Sequence, residues 1–276
     1  MADVTKPRSI AELQKFEHGG NVHSLGAGID TEILDFSANI NPLGPPAWLR
    51  SLVNRDLHLI THYPDPSCEE LVRKIAESYG VDRQMIVPAN GTTELLYLLP
   101  TLLRRRKIVI PVPCYVDYLK VFEIHEFDIQ LLSPESEEDP SLTITRLEQA
   151  LGGGEAVIFG NPVNPVGSII EDTQIVGLAQ RFPDSLFIVD EAFHDFIAPF
   201  TTVGGRAANI ISLNSLTKFF AIPGLRAGFG IFPEPYRQRL ESRLPPWSVN
   251  VLSQRVAHRC LEDVDYCQRT VSTCAL

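Results

Sequence analysis

Short, uninterrupted apolar runs recur along the chain: Met85-Ile-Val-Pro-Ala-Asn90, Lys107-Ile-Val-Ile-Pro111, Ala156-Val-Ile-Phe159, Leu186-Phe-Ile-Val189, Asn209-Ile-Ile-Ser-Leu213 and the stretch from Gly224 to Phe232. A run with no polar alternation has to be covered on both faces, which a sheet sandwiched between helices provides. Strands of this kind, alternating with helical stretches of about ten residues, imply an α/β fold: a mostly parallel central sheet with helices on both faces and ligands at the strand carboxyl ends. Asn164, Asp190 and Lys218 all sit just past such ends. Phe127-Asp-Ile-Gln-Leu131 alternates as an edge or half-exposed strand should.

The chain has 276 residues, 44% hydrophobic and 21% charged, enough for one large α/β domain with something attached but not for two of that size. Thirty-four acidic against 24 basic residues give a net charge of −10, which argues against a nucleic-acid partner and means that a small anion needs a local basic pocket. No apolar run approaches the ~18 residues of a membrane span, and Met1-Ala-Asp-Val-Thr-Lys-Pro7 has no apolar signal core. The expectation is a cytoplasmic protein with no membrane partner. Cys68, Cys114, Cys260, Cys267 and Cys274 are scattered without metal-site or redox spacing, and read as free thiols.

Lys218 lies in Ser212-Leu-Asn-Ser-Leu-Thr-Lys-Phe-Phe-Ala-Ile-Pro-Gly-Leu-Arg-Ala-Gly228, between two apolar strands and among hydroxyls. Burying a lysine is costly without a partner. Desolvation and a nearby cation such as Arg226 lower an amine's pKa, and a partly neutral amine can attack an aldehyde to form a Schiff base. An isolated lysine in a strand-to-strand loop is more commonly a plain surface residue, so the assignment depends on its company. Asp190 closes a strand buried on both faces, where a carboxylate needs a cationic partner. Gly91, Thr92 and Thr93 open a helix continued by Leu95, Leu98, Leu99, Leu102 and Leu103; a glycine and two hydroxyls at a helix N-terminus make a seat for phosphate, although many α/β turns look alike. Capping boxes at Ser9-Ile-Ala-Glu12 and at Ser67 with Glu70 predict helices ending at Gly19-Gly20 and Gly80, and residues 33–37 read as a strand.

Ser215-Leu-Thr-Lys218 with Pro223-Gly-Leu-Arg226, Asn161-Pro-Val-Asn-Pro-Val-Gly167 and Ile188-Val-Asp-Glu-Ala-Phe193 together resemble the active-site segments of the fold-type I pyridoxal-phosphate (PLP) enzymes, the aspartate-aminotransferase-like superfamily. The resemblance implies PLP as cofactor, Lys218 as its covalent partner and Asp190 as the partner of the ring nitrogen. It further implies that Asn164 donates to the ring oxygen O3′ and that Tyr115 stacks over the pyridine, Tyr118 reading equally well as core packing. Gly91, Thr92, Thr93, Ser215, Thr217 and Arg226 then hold the phosphate. Ala89 stands where the family usually has glycine. Tyr63, in Tyr63-Pro-Asp-Pro66, is implied to reach the neighbouring subunit's cofactor phosphate in a homodimer; it reads otherwise as a packing tyrosine.

Within the superfamily, His18-Gly-Gly-Asn21, Asp35-Phe-Ser-Ala-Asn-Ile-Asn-Pro-Leu-Gly44 and Pro245-Pro-Trp-Ser-Val-Asn250 resemble the threonine-phosphate decarboxylases of cobalamin synthesis, and less closely the histidinol-phosphate aminotransferases. Phe193 departs from a tyrosine that many aminotransferases use. The implied reaction is loss of CO2 from a small phosphorylated amino acid, O-phospho-L-threonine. The alternatives are a histidinol-phosphate-type aminotransferase and an inactive PLP-binding remnant. His18, Asn21 and Asn41 are all candidates to meet the substrate phosphate. The implied organisation is an N-terminal arm over residues 1–40, a PLP-binding large domain over 41–245 and the start of a shortened C-terminal small domain over 246–276. That small domain normally carries the arginine for the substrate carboxylate, so the chain taken alone is expected to seat PLP yet decarboxylate poorly.

Overall fold

The computed structural model describes residues 19–22, 35–104, 107–136 and 138–275. Ten α-helices and seven strands are found among these residues. The strands are β1 (Ile86–Asn90), β2 (Lys107–Pro111), β3 (Asp128–Leu132), β4 (Ala156–Gly160), β5 (Leu186–Asp190), β6 (Ile210–Ser215) and β7 (Ala227–Ile231). The helices are α1 (Leu49–Asp56), α2 (Glu69–Tyr79), α3 (Thr92–Leu102), α4 (Val116–Ile124), α5 (Ile144–Ala150), α6 (Asp172–Arg181), α7 (Leu216–Phe219), α8 (Tyr236–Glu241), α9 (Val251–Cys260) and α10 (Val264–Cys274).

The strands form one sheet in the order β1-β7-β6-β5-β4-β2-β3. All neighbours from β6 to β3 pair in parallel, and β7 alone runs against both of its neighbours. The carboxyl ends of β1, β2, β4, β5 and β6 therefore share one edge with the amino end of β7. That reversal brings Arg226, the residue before β7, back to the edge where Lys218 leaves β6. In the register, Ser215 pairs with Gly228, Asn90 with Ala227 and Gly160 with Asp190.

Every residue of β4 and β6 is buried, as is β5 up to its last residue. Leu95, Leu99, Leu119 and Phe122 cover one face over Ile110, Ile158, Ile188 and Leu213. Ile175, Leu178 and Ala179 cover the other over Val157, Phe159, Phe187 and Val189. A third cluster joins α1, α2, α9 and α10 to β1 and β7 through Leu52, Ile75, Phe229, Val256, Cys260 and Tyr266. Side chains on both sides of residue 245 share this cluster, so a division of the chain there falls across a common core.

Some local expectations are corrected. Helix α2 starts at Glu69 rather than on a Ser67 capping box: Asp65 accepts from the N–H groups of Ser67 (2.9 Å) and Glu69 (2.8 Å) and replaces the serine as the capping group. Its end at Gly80, with φ 65°, is as expected. The helix expected to begin at Ser9 lies outside the described residues up to Gly19, and of the strand expected over 33–37 only 35–37 is described, without strand pairing.

Behind Asp190, the next residue, Glu191, turns into the apolar layer. Its carboxyl accepts from the Thr202 hydroxyl (2.5 Å) and the Val203 N–H (2.9 Å), and burial pushes its pKa up to about 8. Unfolding restores an ordinary value near 4.5, so the folded chain holds a proton that the unfolded chain releases, and stability from this group falls as pH rises from about 4.5 to about 8. Glu191→Gln keeps a neutral acceptor for Val203 at every pH. The expected result is a shallower fall of stability across that window, by up to about 1.4 kcal/mol per pH unit; denaturant unfolding at a series of pH values checks it, and parallel profiles for both proteins would refute it.

Candidate active site

A cavity of about 530 Å³ opens at the carboxyl edge of the sheet, and Gly91, Thr92, Thr93, Tyr115, Asn164, Asp190, Ser215, Thr217, Lys218 and Arg226 all line it. Tyr63 does not: it is 80% exposed and stacks on Trp247 with ring centroids 4.6 Å apart. A larger groove of about 830 Å³ runs along β1 and contains none of these residues.

Each position follows from a local constraint. Gly91 has φ 76°, and a Cβ there would stand 2.5 Å from Arg226 Nη2, so glycine both permits the turn into α3 and admits the guanidinium. Gly228 on β7 admits the start of α3 by close approach, since a Cβ there would stand 2.8 Å from the Thr92 nitrogen. The Ser215 hydroxyl caps α7, accepting from Thr217 N–H, and lies 2.8 Å from the Thr217 hydroxyl, which keeps both oxygens at the cavity wall. Asn164 rides a loop braced from beneath by Asn161. That side chain is fully buried and exchanges two 2.9 Å bonds with the backbone of Ile170, while its N–H donates to the Asp190 carbonyl (2.8 Å).

Asp190 accepts from the Tyr118 hydroxyl (2.7 Å) and the Ala192 N–H (3.0 Å). Burial nevertheless raises its pKa, the two donors and Lys218 opposing that rise. Lys218 is shifted down, first by burial and then by the Arg226 charge, with Asp190 pulling the other way. A carboxyl held up and a half-buried amine held down describe a site short of one cation beside Asp190. PLP fits that shortfall: its ring nitrogen is the cation and its phosphate matches an N-terminal helix end flanked by hydroxyls, an arginine and two glycines without Cβ obstruction.

The structure also adds residues. Tyr118, fully buried, both packs in the core and orients Asp190, while Tyr115 faces the cavity with its hydroxyl 2.9 Å from Asp117 Oδ2. Tyr118 stands one helical turn after Tyr115, the only sequence signal for the pairing. Gly19, Ser37, Asn39 and Phe193 line the same cavity, and the Gly20 N–H donates to Ser37 Oγ (2.8 Å). Of the candidates for the substrate phosphate, His18 lies outside the described residues, Asn21 is exposed, and Asn41 is excluded because its side chain is buried and bonded within the fold. No helix among the described residues is long and apolar enough to cross a membrane, and these residues contain no cluster of metal-ligating side chains.

Residues 31–274 match the family model described as aminotransferase class I and II, and the chain belongs to that family of PLP-dependent enzymes. It is 34% identical over 262 residues to the adenosylcobalamin biosynthesis bifunctional protein CobDQ of Leptospira interrogans, covering 92% of the chain but 30% of that protein. It is 32% identical to the threonine-phosphate decarboxylase of Salmonella typhimurium, over 92% of the chain and 72% of that enzyme. Among solved structures, the histidinol-phosphate aminotransferase of Clostridium acetobutylicum superposes with a TM-score of 0.79 at 27% identity, over 87% of this chain and 73% of that one.

Gly91→Ala is expected to weaken PLP binding by at least about tenfold, because the new methyl group displaces Arg226 and strains the turn. Fluorescence titration of the cofactor-free chain measures it; an unchanged Kd would show that the close approach has no part in binding.

Proposed function

We propose that this chain forms the cofactor-binding core of a PLP-dependent decarboxylase acting on O-phospho-L-threonine and releasing (R)-1-aminopropan-2-yl phosphate. The observation that carries the reading is Phe193 in the cavity wall, at the place of a tyrosine that many aminotransferases use, in a chain 32% identical to the Salmonella decarboxylase. The motifs at 39–44 and 245–250 support it. In this reading the enzyme works as a cytoplasmic homodimer, and the exposed Tyr63 serves the neighbouring subunit's phosphate site.

PLP supplies an electron sink for a bond breaking at the substrate Cα. The chain's residues do the rest. Gly91, Thr92, Thr93, Ser215, Thr217 and Arg226 would hold the cofactor phosphate, with Tyr115 and Asn164 on the cavity wall available to the ring. Asp190, aimed by Tyr118 and the Ala192 N–H, would hold a proton at the ring nitrogen. Lys218, its basicity lowered by burial, would hold the cofactor covalently at rest and, once the substrate amine has displaced it, its freed amine would be the group to carry a proton to the substrate Cα. Gly19, Ser37, Asn39 and Phe193 complete the cavity wall and would be available to orient a substrate there.

A second reading, transamination of histidinol phosphate, is favoured by the Clostridium structure. The two separate on products. The protein that carries this chain should release CO2 from phosphothreonine; stoichiometric pyridoxamine phosphate from histidinol phosphate with no CO2 would transfer the assignment to the second reading. Lys218→Ala is expected to abolish the borohydride-reducible chromophore. Asp190→Asn should fold yet turn over slower by about three orders of magnitude or more, since the electron sink is weakened; near-normal turnover would remove Asp190 from its role.

A further inference from the structure

Three segments far apart in sequence meet at Asn41, which is 3% exposed. Its main-chain N–H donates to the Lys218 carbonyl at 3.1 Å. Its side-chain Nδ2 stands 2.7 Å from the Phe219 carbonyl, 2.9 Å from Tyr266 Oη and 2.8 Å from Thr270 Oγ1. Its Oδ1 accepts from the Leu43 N–H (3.0 Å), and the Tyr266 hydroxyl donates onward to the Gly44 carbonyl (2.7 Å). Two amide hydrogens face three acceptors, so this side chain has no donor left for a ligand.

The geometry has a local cause. Helix α7 is four residues long, too short to satisfy its own terminal carbonyls, and those of Lys218 and Phe219 are two of them. The Phe220 and Ala221 N–H groups also reach the Lys218 carbonyl and the Tyr266 hydroxyl reaches that of Phe219 (3.3 Å), while Asn41 alone donates to both carbonyls, from its main chain and its side chain. The backbone that carries the ε-amine is thus tied on one side to the 39–44 segment and on the other, through the same amide, to Tyr266 and Thr270 of α10.

We propose that Asn41 is a positioning residue for Lys218: together with Tyr266 and Thr270 it clamps the α7 turn so that the ε-amine enters the cavity at a fixed depth. Around that amine stand Asp190 at the end of β5, Arg226 before β7, Tyr115 and the Asp190-bonded Tyr118 at the start of α4, and the Ser215 and Thr217 hydroxyls of its own turn. A loosened turn lets the amine reach water and draw away from Arg226, the two larger influences on it, and both changes make it more basic against the smaller loss of Asp190. The inference rests on the reading of Lys218 as the cofactor's lysine.

The test is made on the full 276-residue chain stripped of cofactor. Lys218 is modified with trinitrobenzenesulfonate across a pH series, and the extent at that residue is read by peptide mass spectrometry. Asn41→Ala is expected to move the midpoint up by about half a pH unit or more, with smaller upward shifts in Thr270→Val and Tyr266→Phe, each of which removes one partner of the amide. The control is Trp48→Phe, which deletes the 2.6 Å bond from Trp48 Nε1 to Asp263, the N-cap of α10. It should lower the Tm and leave the midpoint in place. If Asn41→Ala does not fold, the two milder variants decide. Unmoved midpoints in the folded variants, or an equal shift in the control, would overturn the proposal. Because the readout needs no cofactor, such a failure leaves the chromophore test of Lys218 standing, and loss of the chromophore assignment leaves the clamp measurement intact.

Discussion

The central strands β4, β5 and β6 are buried on both faces, and a strand in that position can carry an unpaired charge only where it emerges, its interior polar groups, Ser212 and Asn214, being bonded to one another. Everything chemical in this chain is arranged by that restriction. Gly160, Asp190 and Ser215, the last residues of β4, β5 and β6, line the cavity at the carboxyl edge, and the loops that follow deliver Asn164 and Lys218 to the same cavity. The reversal of β7 completes the set by returning Arg226 to this edge rather than leaving it at the far side of the sheet.

What could be read in the sequence was what depends on short range. The apolar runs located the strands because burial on both faces leaves no polar alternation to misread, and the residues at their tips were identified by the cost of placing charge there. The Gly91 turn was legible for the same reason, a glycine followed by hydroxyls at a helix start. Phosphate-seat details that depend on close approach between elements were not: Gly228 matters because its Cα passes the Thr92 nitrogen, and nothing in Ala227-Gly-Phe-Gly230 announces which neighbour it faces. Asp65 took the capping role from Ser67 because a side chain two residues earlier could bond both N–H groups at once.

The least legible residues are those with partners more than seventy positions away. Asn41 looked like a ligand candidate because it sits in a turn-rich polar segment, yet its amide is consumed by Phe219, Tyr266 and Thr270. Tyr118 was balanced between packing and function, and the structure shows that the distinction does not hold: the ring packs in the core while its hydroxyl fixes a carboxylate 72 residues on. Long-range polar pairs of this kind leave no periodic trace, since each partner is a single residue whose type is compatible with several local roles.

The electrostatics of the cavity follow from the same geometry. Asp190 and Lys218 face one space with opposite formal charges, yet each is displaced toward its neutral form, because burial outweighs what the other supplies. Were they a satisfied ion pair, any ligand would first have to break it. Instead Asp190 is held by two neutral donors, Tyr118 and the Ala192 N–H, which aim it without neutralising it, while burial and then the Arg226 charge lower the pKa of the amine. A cation placed against Asp190 and an anion placed against Arg226 and the start of α3 would each relieve an existing imbalance, so the site is built to favour a ligand that carries both at opposite ends. The desolvation of these groups is met during folding, by the packing of the buried strands, and binding gains the interaction without meeting that cost again.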